Sequence, residues 1–270
     1  MSKRTMPVES YGVLDSFRGT VANPAVEQLR ILGYAVVDAG YSHEEIENIS
    51  ERFARVSQDY LNLHGRETLA SIGEEHTIRA LLAQDEDIFL QLAMNPVLMN
   101  VVKDLIVGKF ILNQQNGIIN PPKKSYNQAA WHRDLPYQHF VSSRPLALNA
   151  LYCVDDFTLA NGCTFVLPAS HKIEGFPGPD YIEQNAVQIE AKAGSFIVLD
   201  CMLYHCGGYN GTAIARRAVN HLFTVPYIKQ QIDLPKATAT KTLSAEQKSF
   251  LGYDYPLPES VNSYLASRKK

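Results

Sequence analysis

The sequence predicts a mainly β protein with helices gathered at its N-terminal end, the strands forming a closed or double-sheet structure that a jelly roll fits. Two observations predict it. Capped amphipathic patterns fill the first hundred or so of the 270 residues. From Phe110 the pattern changes to short strand-like runs broken by Pro121-Pro122, Asn161-Gly162 and Asn210-Gly211. With 46% hydrophobic and 20% charged residues the composition is that of a globular protein able to bury a large core. The expected organisation is one domain over 1–270, with a helical part to about residue 108, a β-barrel core over about 109–230 and a polar tail over 231–270.

Each element has a local cause. Asn23-Pro24 caps and opens a helix carrying Val26, Leu29, Ile31 and Leu32, Gly33 stops it, and Tyr34-Ala35-Val36-Val37 reads as a short strand. Ser42-His43-Glu44-Glu45 is a capping box ahead of Ile46, Ile49, Phe53 and Val56 at helical spacing. Asn95-Pro96 opens another helix through Leu98, Val101, Val102 and Leu105. Strands are expected at 110–119, 128–134, 145–154, 163–167, 187–190, 195–200 and 216–225, and a short helix at Ala245-Glu246-Gln247, with Ser267-Arg268-Lys269-Lys270 frayed.

Composition removes several function classes. A formal net charge of -3 and no clustered basic stripe argue against a nucleic-acid partner. No apolar window reaches bilayer length and Met1-Ser2-Lys3-Arg4-Thr5-Met6-Pro7 is not followed by a signal-peptide stretch, so no membrane partner and a cytoplasmic location are expected. Cys153, Cys163, Cys201 and Cys206 lack CxxC spacing and lie in strand-like runs, where buried reduced thiols are expected.

Chemistry concentrates in Trp131-His132-Arg133-Asp134. An extended strand points residues two apart to one side, so His132 and Asp134 aim an imidazole and a carboxylate at one point, and Leu135-Pro136 ends the strand there. His205, where an apolar run meets Gly207-Gly208, supplies a third donor. Two histidines and one carboxylate leave half of an octahedral iron open, the ligand set of non-haem Fe(II) oxygenases. The competing readings are core histidines bonded to backbone carbonyls, or a softer zinc site using Cys206; adjacent strand residues face opposite ways, which favours His205 over its neighbour. Arg216 and Arg217 open the next strand, and one of them can clamp a carboxylate cosubstrate with its planar fork. Parity leaves open which of the two faces inward.

These residues resemble the phytanoyl-CoA dioxygenase family of Fe(II)/2-oxoglutarate oxygenases, which includes ectoine hydroxylase. The family carries His-x-Asp, a later His and an Arg eleven positions beyond it, and here that place falls on Arg216. Asp155 to Lys172 is similar to the family's Asn-Gly turn and Pro-Gly-Ser-His stretch, with Ala169 where glycine is usual. The similarity runs from about Tyr34 to Phe223. It implies a double-stranded β-helix (cupin-like jelly roll) with helices packed outside, Fe(II) held by His132, Asp134 and His205, 2-oxoglutarate gripped by Arg216, and O2 as co-reactant. It also implies a structural role for His171, and contacts from Gln114, less strongly Asn116, to 2-oxoglutarate. The implied reaction forms succinate and CO2 and hydroxylates a C–H bond, and the presence of Asp134 disfavours halogenation.

For the substrate, a small polar metabolite or natural-product intermediate is expected, with a fatty acyl thioester as the alternative in the same class. Lys123, Lys124, Arg133 and Arg144 would favour an anionic substrate if they ring the mouth, Tyr137 and His139 are candidate pocket residues, and Gly65–Gly73 has the glycine-flanked pattern of a lid. Two readings from other classes stand beside this one: a zinc or manganese cupin-like isomerase, and a small-molecule binding barrel.

Overall fold

A computed structural model describes residues 23–135 and 139–269, together with Tyr11 and Val13. The chain opens with α1 (Pro24–Leu32), β1 (Tyr34–Asp38), α2 (His43–His64), α3 (Arg66–Ser71) and β2 (Thr77–Arg79). Three further helices follow, α4 (Leu81–Gln84), α5 (Glu86–Ala93) and α6 (Pro96–Leu105). The β region is β3 (Ile111–Asn120), β4 (Ala147–Cys153), β5 (Thr164–Val166), α7 (Pro179–Asn185), β6 (Val187–Ile189), β7 (Ser195–Asp200), β8 (His205–Cys206) and β9 (Arg216–Thr224). The chain ends with α8 (Leu234–Ala237), α9 (Ala245–Leu251) and α10 (Val261–Ser267).

The strands make two antiparallel sheets, a six-stranded one in the order β1-β7-β4-β9-β3-β2 and a three-stranded one in the order β6-β5-β8. Strand alternation divides the large sheet's side chains cleanly. Leu148, Ala150, Tyr152, Phe196, Val198, Val219 and Phe223 pack with Phe53, Leu81 and Val102 of the helices. Cys153, Ile197, Leu199 and Ala218 face the other way and pack with Val166 and Ile189 of the small sheet. The result is a helix layer, a large sheet and a small sheet, with the candidate ligands reaching the inter-sheet space. No helix among the described residues is long and apolar enough to cross a membrane.

The caps act as predicted. Asn23 accepts from the Ala25 amide, Ser42 and Glu45 form a reciprocal capping box, and Asn95 accepts from Val97 and Leu98 while donating to the Ala39 carbonyl. Four expectations differ. The sheets do not close into a barrel: the helical part supplies both edges of the large sheet, β1 and β2. Residues 128–134 form no strand; Asn127–Ala129 is a 3-10 turn and His132 makes only an isolated bridge to His205. The Gly65–Gly73 segment contains α3, anchored by buried Leu69. The tail is partly core, since α9 buries Phe250 and Leu251 against the helix layer and α10 extends through Ser267.

Gly33 shows how tightly the layers meet. It ends α1 in the left-handed region at φ 84°, and a Cβ there would lie 2.6 Å from His171 Nδ1 and 2.7 Å from Leu203 Cδ1, both side chains buried. Gly33→Ala is expected to destabilise by more than ~1 kcal/mol, the cost of the left-handed backbone alone, and a drop in Tm checks it.

Two buried histidines make the fold acid-labile. Burial pushes His221 and His171 down to about 4, and His221 donates from Nδ1 to the Ala150 carbonyl. Between about 6.5 and 4 the unfolded chain binds protons that the folded chain refuses, so stability falls as pH falls through that window. For fully buried His221 the loss is on the order of 3 kcal/mol when complete. Denaturant midpoints between pH 7 and 4 should show the slope, and His221→Phe should flatten it.

Candidate metal centre

The backbone delivers three donors to one point. His132 and His205 are paired by reciprocal backbone hydrogen bonds of 2.9 and 3.1 Å, and the Asp134 amide donates to the Cys201 carbonyl at 3.0 Å. Asp134 Oδ1 lies 3.9 Å from His132 Nε2 and 3.7 Å from His205 Nε2, and one ligand atom from each residue falls within 4.8 Å of the others. Ligand atoms each about 2 Å from one ion stand up to ~4 Å apart, so the two measured separations fit a shared ion. Sequence spacing therefore identified the cluster, but bridge pairing and the Cys201 anchor create it in place of a regular strand.

The tautomers suit ligation. His132 Nδ1 sits 2.7 Å from the Ala130 carbonyl and His205 Nδ1 3.0 Å from the Leu203 carbonyl. A carbonyl only accepts, so each Nδ1 carries a proton, and in the neutral ring it is Nε2 whose lone pair faces the cluster. Burial lowers the His205 pKa, with Asp134 opposing, which keeps this ring neutral. One carboxylate and two imidazoles that turn Nε2 to the same point form a donor set that fits a divalent transition metal. Cys206 is no co-ligand: it pairs with Phe165 on the opposite side of β8 from His205 and lines an outer cavity of about 480 Å³ with Trp131, Phe165 and Tyr209.

The two arginines separate as strand parity requires. Arg217 turns to the helix layer, donating to both Asp155 oxygens and to Ser50 Oγ. Arg216 points between the sheets, 3% exposed, with its guanidinium 3.9 Å above the Phe157 ring. It donates to the Gly162 carbonyl and lies 3.4 Å from the Tyr126 hydroxyl, and burial lowers its pKa. No carboxylate among the described residues pairs with it, and its Nε is buried without a partner. A buried cation without a counter-charge is costly unless an anion joins it.

Tyr126 and Gly207 complete that wall. A Cβ on Gly207 would lie 2.1 Å from the Tyr126 hydroxyl, so only glycine lets the tyrosine seat two residues beyond His205. Asn149, inside the apolar run of β4, donates to Asp134 Oδ2 at 2.6 Å. Sequence reading passed over both residues; a lone amide in Ala147-Leu148-Asn149-Ala150-Leu151 was the available signal.

Other candidates fall elsewhere. Gln114 shares the inner sheet face with Arg216, but its side chain accepts from Asn116 at 3.2 Å. Arg133 is not at a mouth: it is buried under Tyr204, donating to the carbonyls of Met202, Ser170, Ile173 and Glu174. Lys124 lines the outer cavity and Arg144 lines a separate one with Asp104 and Asp200. Lys123 is an exposed turn residue, His139 is exposed, and Tyr137 lies outside the described residues. His171 is buried against Gly33, away from the ligand cluster.

Known proteins are similar to this chain in sequence or in fold. An uncharacterized protein of Mycobacterium tuberculosis is 33% identical over 246 residues, 88% of this chain and 89% of that one. An iron/alpha-ketoglutarate-dependent dioxygenase of Aspergillus calidoustus is 34% identical over 129 residues, 46% of this chain and 41% of that protein. The crystal structure of EctD from S. alaskensis with 2-oxoglutarate and 5-hydroxyectoine superposes with a TM-score of 0.64 at 20% identity over 76% of each chain. The profile of the phytanoyl-CoA dioxygenase (PhyH) family matches residues 30–218, so the chain belongs to that family of dioxygenases.

Proposed function

We propose that the protein is an Fe(II)- and 2-oxoglutarate-dependent oxygenase that hydroxylates an unactivated C–H bond of a small polar metabolite or natural-product intermediate in the cytoplasm. The observation that carries this reading is the convergence of His132, Asp134 and His205, each imidazole turned by a backbone carbonyl so that Nε2 faces the carboxylate. When bound, ferrous iron with 2-oxoglutarate supplies dioxygen activation coupled to oxidative decarboxylation.

The chain's own residues orient and seal. Arg216 binds the distal carboxylate of 2-oxoglutarate, which brings the counter-charge that the buried guanidinium lacks among the described residues. Tyr126 offers its hydroxyl beside that anchor, while Phe157 packs against the guanidinium and keeps water from it. Gln114, and less strongly Asn116, lie on the sheet face that carries Arg216 and reach the cosubstrate once the hydrogen bond that joins their two amides opens. A metal-binding isomerase with the same donor set would need no buried arginine, so Arg216 favours the oxygenase.

The test is a panel of small polar metabolites incubated with enzyme, Fe(II), 2-oxoglutarate and air, with succinate as readout. Oxygen-dependent succinate that rises with one panel member supports the reading. If anaerobic Fe(II) and 2-oxoglutarate give no visible charge-transfer band and no succinate forms, the reading is wrong.

A further inference from the structure

We infer that the cavity lined by Arg30, Arg144, Lys172 and Asp200 is a second binding site, for a small zwitterion of the amino-acid class, with its ammonium taken by Asp200 and its carboxylate by the basic side chains. The end of α1, the end of α6, residues 143–145, the turn at His171 and the last residue of β7 surround about 370 Å³. Neither the candidate metal ligands nor Arg216 line this space, so it is separate from the site between the sheets.

Charges of both signs line the cavity, and they do not neutralise one another. Asp200 is 8% exposed, and its carboxylate receives one hydrogen bond, from the Met202 amide to Oδ1 at 2.9 Å. Among the described residues no cation forms an ion pair with it, although Lys172 and Arg133 lie close enough to oppose the upward push of burial on its pKa. The side chains of Arg144 and Lys172 have no hydrogen-bond or ion-pair partner among the described residues, and Arg30 gives one N–H to the Asp104 carbonyl at 3.1 Å. A buried carboxylate without a counter-charge is costly, so a cationic group that joins it is favoured. A ligand with only a negative charge would leave Asp200 facing a like charge, and one with only a positive charge would meet three basic groups. A ligand carrying both signs meets both halves of the lining. Leu29 and Leu105, 2% and 3% exposed, add an apolar floor that suits an aliphatic side chain, and the volume is at the small end of the range of about 300–1,000 Å³ for ligand pockets.

The test is titration calorimetry of the full chain against the free aliphatic amino acids from alanine to leucine, with isocaproate and isoamylamine as the single-charge analogues of leucine. At least one amino acid should bind, and both analogues should bind roughly tenfold more weakly than leucine or not at all. Asp200→Asn keeps an acceptor for the Met202 amide and removes the charge, so a carboxylate that serves only its own turn would leave binding unmoved. That variant and Arg144→Ala, at an exposed residue, should each weaken binding by roughly tenfold or more. Should Asp200→Asn not fold, Arg144→Ala and Lys172→Gln decide the matter. No binding by any amino acid, isocaproate or isoamylamine binding as tightly as leucine, or wild-type affinity in the folded variants would overturn the inference. None of these outcomes depends on the metal centre proposed above, because the readout is binding to a cavity that holds none of its ligands.

Discussion

Asp134→Ala is expected to abolish substrate-dependent succinate formation and to weaken Fe(II) binding by more than roughly a hundredfold, since loss of even an outer-shell partner typically costs 10–100-fold. The cause is local. Asp134 is the acidic member of the cluster, and its Oδ1 is the atom that the two Nε2 donors share. Its backbone is pinned by Cys201 and its side chain makes one hydrogen bond, from Asn149, so truncation should leave the fold standing. Anaerobic titration with Fe(II) and excess 2-oxoglutarate, read through the visible band, measures the loss. A variant with wild-type affinity would remove Asp134 from the centre.

Arg216→Leu is expected to raise the KM for 2-oxoglutarate by about thirtyfold or more, corresponding to at least ~2 kcal/mol for one half of a buried charge pair. Affinity for the metal alone should not change. Stability of the ligand-free protein should rise, because the substitution removes a guanidinium buried over Phe157 with no carboxylate partner among the described residues. Arg216→Lys should not rescue cosubstrate binding, since a point charge cannot reproduce the planar fork seated beside Gly162 and Tyr126. Opposite signs for stability and cosubstrate affinity separate this role from a structural one; a fall in both would count against it.

Signals that act within a few residues were legible from the chain. The Asn23, Ser42 and Asn95 caps formed as their side chains require, because a cap bonds amides two or three positions away. The apolar runs of β4, β7 and β9 became central strands, their two faces divided by parity. The His132 and Asp134 spacing pointed to two members of the clustered donors for a reason only half right: residues 128–134 are not a strand, and the Cys201 carbonyl and the bridge to His205 set the geometry.

What the sequence alone determined, then, is the capped helices of the N-terminal part, the central strands, and His132, Asp134 and His205 as candidate ligands, with family resemblance pointing to Arg216. The folded chain decided the rest: that Arg216 is the inward one, that Arg133 braces a loop, that β1 and β2 close the flanks of the large sheet, and that Asn149 and Tyr126 stand beside the candidate ligands. Caps and strand parity depend on neighbours along the chain, whereas burial of a charge and the partner of an amide depend on residues dozens of positions away. Those partners are chosen only when the sheets pack.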